Sequence, residues 1–202
     1  MGSVAAILLA AGLSRRMGAR NKLLLPVAGK PMVRHLAETY LSVLTTPLTV
    51  VTGFEADAVR NALAGLSVAF AHNEDFAAGQ QGSVAAGLTV APDADLLLIG
   101  LADQPGLAPE DLMQLVQWHH ANDLYKITVP KLGARRGNPI VIPRSLRPRL
   151  TENPERPGCM RLTRDEPDLV QCAPLPADGF YADVDTPDDY AALTQIEMET
   201  TG

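Results

Sequence analysis

The sequence has little cysteine, no long hydrophobic run, and no mixing of charge at its two ends. Only Cys159 and Cys172 occur, too far apart for a Cys-x-x-Cys pair and with no His cluster to complete a zinc set. A disulfide framework and a structural zinc site therefore lack their residues, and a reduced, cytoplasmic setting is the expectation. The apolar stretch from Val4 to Leu13 falls short of the roughly 20 residues that span a bilayer. No basic region precedes it, as a signal peptide would require. Gly2 is not followed by the Ser or Thr that N-myristoylation wants, because Ala6 stands at that position.

Residues 1–37 contain no acid but six basic side chains, and residues 165–202 contain no Lys or Arg but ten acids. The segment between them is near balance, with 11 basic and 13 acidic groups. The net charge of −6 and a pI near 5.2 exclude a protein that coats nucleic acid. A chain of 202 residues, 47% hydrophobic and 20% charged, excludes a disordered or coiled-coil protein and fits one globular domain. The polarised charge reads in two ways. It is surface patterning, or the basic end meets an anion and some of the acids meet a cation.

What is present is an alternation of strand and helix signals. Val4–Leu9 is a continuous apolar run, the pattern of a strand buried on both faces, and it leads into Ala10-Ala11-Gly12. Pro31 opens a helix with Met32, Leu36 and Tyr40 on one stripe. Strands are predicted at Leu48–Thr52, Ser67–Ala71, Leu96–Ile99, Ile127–Val129, Ile140–Ile142, Leu169–Cys172 and Tyr181–Val184. Helices are predicted at Ala56–Leu63, Ser83–Val90, from Pro109 onward, at Arg144–Leu150, at Cys159–Thr163 and after Thr186-Pro187. No repeat, low-complexity tract or composition break marks a linker. The expectation is one α/β domain over 1–202, with an ordered core of about 4–195 and a mostly parallel sheet.

In open α/β sheets ligands bind at the carboxyl ends of the strands, so the loop after the first strand carries most weight. Small residues at Ala10, Ala11 and Gly12 allow close backbone approach, while Arg15, Arg16, Arg20 and Lys22 supply four positive charges within eight positions. The spacing fits neither a Walker A loop nor Gly-x-Gly-x-x-Gly. It suits a polyphosphate. Asp103 follows a buried strand and Asp185 follows a weaker one, so both carboxylates can reach the same rim and offer hard oxygens to Mg²⁺. Each also has a structural reading: Asp103 before Gln104-Pro105 as a turn organiser, Asp185-Thr186-Pro187 as a helix cap.

Leu9-Ala10-Ala11-Gly12-x-Ser14-x-Arg16-Met17-Gly18 followed by Asn21-Lys22-Leu23-Leu24 resembles the signature loop of the MobA-like nucleotidyltransferases. Among these it is most similar to the molybdenum cofactor cytidylyltransferases. The likeness continues through Gly29-Lys30-Pro31-Met32, Val51-Thr52-Gly53, His72-Asn73, Gly82-Ser83-Val84, Leu101–Pro105, Gly137-Asn138-Pro139 and Asp183–Pro187. The resemblance implies a single-domain, Rossmann-like three-layer sandwich of the nucleotide-diphospho-sugar transferase type. It also implies a reaction joining the CMP moiety of CTP to the terminal phosphate of a molybdopterin-type acceptor, with release of pyrophosphate. By the same resemblance Mg²⁺ is held by Asp103 and Asp185, and Arg16, Lys22 and Asp103 carry the chemistry. Leu9, Ala10, Ala11, Gly12, Arg16, Lys22, Thr52, Gly53, Asn73, Ser83 and Asp103 bind the nucleotide. Relatives that use guanine usually carry a second Gly where this chain has Ala11, which points to CTP. A molybdenum hydroxylase is the implied recipient of the product; neither nucleic acid nor membrane is an expected partner.

The acceptor is less constrained. Many relatives carry a Gly-Asp-x-Gly-x-Arg-like stretch where this chain has Pro157-Gly158-Cys159-Met160-Arg161-Leu162. The basic loop Lys131–Arg136 reads as a solvated hairpin tip or as a clamp on a phosphorylated pterin. Rival readings are a same-fold transferase using GTP or another phosphorylated acceptor, a non-catalytic carrier or insertion chaperone for the molybdenum cofactor, and a dinucleotide oxidoreductase. The last lacks Gly-x-Gly-x-x-Gly and the acid about 20 residues beyond it. His35, His119-His120 and Trp118 fall in helical patterns and are expected to pack rather than react.

Overall fold

The computed structural model describes residues 2–18, 20–153 and 158–200. In chain order its strands are β1 (Val4–Ala10), β2 (Pro26–Val27), β3 (Lys30–Pro31), β4 (Leu48–Thr52), β5 (Val68–His72), β6 (Leu96–Leu101), β7 (Ile127–Leu132), β8 (Arg135–Arg136), β9 (Ile140–Pro143) and β10 (Val170–Ala173). Its helices are α1 (Met32–Leu41), α2 (Ala56–Ala62), α3 (Gln80–Val90), α4 (Pro109–His120), α5 (Cys159–Asp165) and α6 (Pro187–Thr200).

The main sheet has the order β10-β7-β9-β6-β1-β4-β5, with β8 paired only to β7; β2 and β3 form a separate ribbon. All main-sheet pairings are parallel except those of β9 with β6 and β7 and of β8 with β7. The strand period of two splits β1 between two cores. Val4, Ala6, Leu8 and Ala10 join α1, α2 and α4 on one face, while Ala5, Ile7 and Ala11 join Val84 of α3 and Leu162 of α5 on the other. Leu96 and Leu98 of β6 follow the first core, Leu97 and Ile99 the second. This is the three-layer α/β/α sandwich with a mostly parallel sheet that the alternating pattern implies.

Close approach decides one residue of α3. A Cβ on Gly87 would come within 2.7 Å of Ile7 Cγ2 and 2.9 Å of Val51 Cγ2, so glycine sets how near α3 lies to the sheet. That matters because α3 also presents Ser83 to the rim.

Three predicted elements differ from those observed. α3 begins at Gln80 rather than Ser83, because Gly79 at φ +116° turns the chain directly into the helix. Arg144–Leu150 forms two short 3₁₀ turns, Arg144–Leu146 and Pro148–Leu150, since Pro148 lacks the N–H that would continue one helix. Tyr181–Val184 is not a strand. Its neighbourhood bonds singly to separate elements: Asn138 N–H to the Phe180 carbonyl at 2.9 Å and Val184 N–H to the Asp103 carbonyl at 2.8 Å. The segment crosses the strand ends instead of lying along one, and that crossing delivers Asp185 to the rim.

Candidate active site

The loop after β1 is shaped by a few local contacts. Ser14 adopts the left-handed conformation (φ 50°) and opens a 3₁₀ turn, Arg15–Met17, whose buried Met17 pins the loop down. Gly18 at φ +70° reverses the chain. Asn21 then accepts a hydrogen bond from Leu23 N–H at 3.1 Å and starts a second turn, Lys22–Leu24. Lys22 N–H donates to Ser14 Oγ at 3.2 Å, closing the loop on itself. The side chain of Lys22 is thereby directed inward and buried, with 7% of the residue exposed.

There it meets two carboxylates. Lys22 Nζ donates to Asp103 Oδ2 at 2.5 Å and to Asp185 Oδ1 at 2.8 Å, while Arg16 reaches Asp185 Oδ2 at 2.5 Å. Burial disfavours the Lys22 ammonium, but Asp103 and then Asp185 more than offset it and hold its pKa above the ordinary lysine value. For Asp185 burial is likewise outweighed, here by Lys22 and Arg16, and its carboxyl lies below the usual range. Asp183 lies above it, because partial burial and the charges of Asp103 and Asp185 all favour its protonated form.

Around this cluster lies a cavity of about 360 Å³, walled by the glycine loop from Ala11 to Arg16, by Phe76, Ala77 and Gly79, and by Ser83, Leu9 and Leu101. Gly12 has open space where a Cβ would stand, so its missing side chain leaves volume to the cavity. A second cavity of about 290 Å³ adjoins the first across Leu9 and Leu101. Ile99, Val129 and Ile140 line it, together with Arg136, Asn138, Cys159 and Arg164.

Of the residues singled out in the sequence, Leu9, Ala11, Gly12, Arg16, Lys22, Ser83, Asp103 and Asp185 share the first cavity. Ala10 turns into the opposite core, and Thr52, Gly53 and Asn73 stand behind the wall. Thr52 Oγ1 bonds the Ala71 carbonyl at 3.3 Å, and Asn73 Nδ2 donates to Ser83 Oγ at 3.0 Å, positioning the serine. A Cβ on Gly53 would fall 2.6 Å from Phe76 Cβ and 2.9 Å from Ala11 Cβ, so Gly53, Ala11 and Phe76 form one tight contact at the cavity's far end. Phe76 and Asp183 were not singled out. Phe76 is an aromatic in an otherwise polar loop, and Asp183 stands two residues from Asp185 on an extended segment; either pattern could have flagged them.

The remaining side chains follow their packing readings. His119 is buried on α4, with Nδ1 2.8 Å from Thr128 Oγ1. His35 Nε2 sits 3.2 Å from the Pro105 carbonyl. Burial pushes the Cys159 thiol up to about 12, leaving it protonated and unsuited to nucleophilic attack. In the basic hairpin Lys131, Arg135 and Arg136 are exposed; Arg135 pairs with Asp178 at 2.9 Å and lies over the Tyr181 ring, while Arg136 borders the second cavity. Pro157 lies outside the described residues.

A domain family described as the MobA-like NTP transferase domain matches residues 6–170. The chain belongs to that family. It is similar to the nicotine blue oxidoreductase of Paenarthrobacter nicotinovorans, at 32% identity over 91% of this chain and 92% of that one. It is also similar to the bifunctional protein GlmU of Exiguobacterium sibiricum, at 36% identity over 61% of this chain. This chain spans only 27% of that GlmU's length. Among solved structures, Rv0371c of Mycobacterium tuberculosis superposes with a TM-score of 0.78 at 26% identity, covering 96% of this chain and 98% of the other. Rv0371c has also been solved in complex with manganese. No helix among the described residues is long and apolar enough to cross a membrane.

Proposed function

We propose that this nucleotidyltransferase moves the CMP moiety of CTP onto the terminal phosphate of a molybdopterin-type acceptor and releases pyrophosphate. The observation that carries this reading is the buried Lys22 tied to Asp103 and Asp185 at one end of a cavity walled by a glycine loop. The acceptor phosphate oxygen attacks the α-phosphorus in line, and the bond from that phosphorus to the β-phosphate bridging oxygen breaks. The nucleophile is ionised at neutral pH and needs no general base, in keeping with a site that offers no His or activated Cys. The protein's task is charge neutralisation and alignment. Lys22 faces the α-phosphate, and Arg16, with a 66% exposed side chain, is free to follow the departing phosphates.

The donor set suits Mg²⁺. Asp103 Oδ1 is buried with no hydrogen-bond partner among the described residues, an acceptor lone pair that a hard cation would satisfy. Among those residues no group of three His, Cys, Asp or Glu side chains could hold a metal alone, so Asp103 and Asp185 would share it with phosphate oxygens and water. When bound, Mg²⁺ supplies Lewis-acid stabilisation of the phosphoryl oxygens.

For the base, Ala11 and Phe76 both line the cavity with Gly53 packed tightly against them, and Ala11 in place of a second glycine supports a pyrimidine. For the acceptor, the second cavity has apolar walls suited to a ring system and Arg136 and Arg164 suited to an anion. The test is pyrophosphate release with each nucleoside triphosphate, with and without molybdopterin and Mg²⁺. CTP- and molybdopterin-dependent release is expected; release that prefers GTP, or ignores molybdopterin, overturns the respective assignment.

The likeness to a nicotine blue oxidoreductase favours a second reading, in which the same phosphate-binding rim holds a reduced nicotinamide dinucleotide. Loss of NADH or NADPH absorbance in the presence of nicotine blue, without pyrophosphate release, would decide for it.

A further inference from the structure

We infer that Lys22 is a placeholder for the divalent cation: its ammonium occupies the ground between Asp103 and Asp185 until a nucleotide draws it away, so the protein takes up metal only with or after the triphosphate. This rests on the transferase reading of the site and adds an order of binding to it.

The geometry is explicit. Mg²⁺ and its oxygen ligands stand about 2.1 Å apart. Lys22 Nζ already stands 2.5 Å from Asp103 Oδ2 and 2.8 Å from Asp185 Oδ1. A cation bridging those two oxygens would overlap Nζ or face it charge to charge. The second oxygen of Asp185 is held by Arg16 at 2.5 Å, which leaves Asp103 Oδ1 as the unpartnered buried oxygen of the pair.

Charge points the same way. Lys22 and Arg16 offset two of the three carboxylates gathered here, Asp103, Asp183 and Asp185, so a divalent cation arriving alone would leave the cluster with at least one surplus positive charge. In a partly buried setting that is unfavourable. A triphosphate reverses the balance: its oxygens give Lys22 and Arg16 stronger anionic partners, and Asp103 and Asp185, released from those cations, would then be able to hold a divalent cation together with phosphate oxygens. Lys22 sits on the short turn Lys22–Leu24, and its four-carbon stem lets Nζ travel without moving the backbone. The exchange has a consequence for timing. Metal becomes bound only when the bond to be broken is already in place.

The experiment measures Mn²⁺ binding by the paramagnetic resonance signal of free Mn²⁺, on the full chain, with and without CTP, each CTP titration being corrected by one with CTP and no protein, because CTP itself complexes Mn²⁺. The wild type is compared with Lys22→Met and Lys22→Gln, two neutral side chains of similar length, each checked for folding by far-ultraviolet circular dichroism. Without nucleotide, the wild type is expected to bind Mn²⁺ at least tenfold more weakly than with CTP. Either folded variant is expected to bind Mn²⁺ alone at least tenfold more tightly than the wild type does alone. Wild-type binding that is equally tight with and without CTP overturns the placeholder while leaving the transferase site standing. So does a folded variant with no gain. Absence of Mn²⁺ binding in every arm, CTP included, overturns the metal reading and the placeholder with it.

Discussion

Asp103→Asn separates the catalytic use of this carboxylate from its structural use, because the amide keeps the shape and removes the charge. In the folded protein Asp103 accepts the shorter of the two Lys22 hydrogen bonds, at 2.5 Å, and its other oxygen is buried and unpartnered. The variant leaves Lys22 paired with Asp185 at 2.8 Å, so the buried ammonium is not stranded. A hydrogen bond to a charged group contributes about 1.5–3 kcal/mol, and the amide oxygen retains part of it. The expected loss of stability is therefore about 1–2 kcal/mol. For a domain of this size that lowers Tm by about 2–8 °C, read by calorimetry without divalent cation. The transition state loses more. Removing one group that stabilises developing charge lowers turnover by about 10²–10³-fold, or ~2.7–4 kcal/mol. Pyrophosphate release at saturating CTP, acceptor and Mg²⁺ should fall by that factor, while metal-free CTP binding changes by less than about threefold. Turnover within about threefold of wild type would refute the placement of Asp103 against the reacting phosphates. A collapse in Tm with turnover per folded molecule unchanged would assign Asp103 to architecture alone.

Three further outcomes are expected. Gly12→Val should abolish nucleotide binding with a Tm change of under about 2 °C, since a Cβ at this position meets no protein atom within 4 Å and Gly12 lines the cavity; calorimetric titration with CTP checks this. Ala11→Gly loosens the Ala11–Gly53–Phe76 contact and should narrow the CTP-over-GTP ratio of kcat/KM about tenfold, with the CTP value itself changed much less. The metal-free protein should lose the stability supplied by Asp185 as pH falls. This group has a lowered folded pKa, so its contribution is fully present above the unfolded value of about 3.8 and is lost as pH falls from there through the lower folded value; the gap in urea unfolding between wild type and Asp185→Asn should shrink progressively below pH 3.8.

The order of elements could be read from the sequence because each buried strand is both apolar and closed by glycine or proline. Val4–Ala10 and Leu96–Leu101 divide alternate residues between two cores, as buried parallel strands do. The segment Tyr181–Val184 has a weaker apolar pattern, interrupted by Asp183, and bonds to the Asp103 carbonyl rather than to a ladder, a choice that no local pattern encodes. The same limit applies to the site. The expectation of phosphate binding at the glycine loop rests on residues close in sequence, whereas Lys22 meets Asp103 and Asp185 across 81 and 163 positions. That Thr52 and Asn73 support the wall rather than form it depends on hydrogen bonds to Ala71 and Ser83. Spacing gives the rim, and tertiary packing decides which side chains reach into it.

The reversed direction of β9 has a practical corollary. Because β9 runs against β6 and β7, the chain leaves β7 and returns to β9 at the same rim, and the exposed stretch from Lys131 to Arg136 stands as a hairpin beside the second cavity. None of those six residues borders the first cavity. If the proposed acceptor occupies the second cavity, exchanging this hairpin should change which acceptor is used while CTP-dependent turnover, resting on the loop after β1 and on Asp103 after β6, is retained.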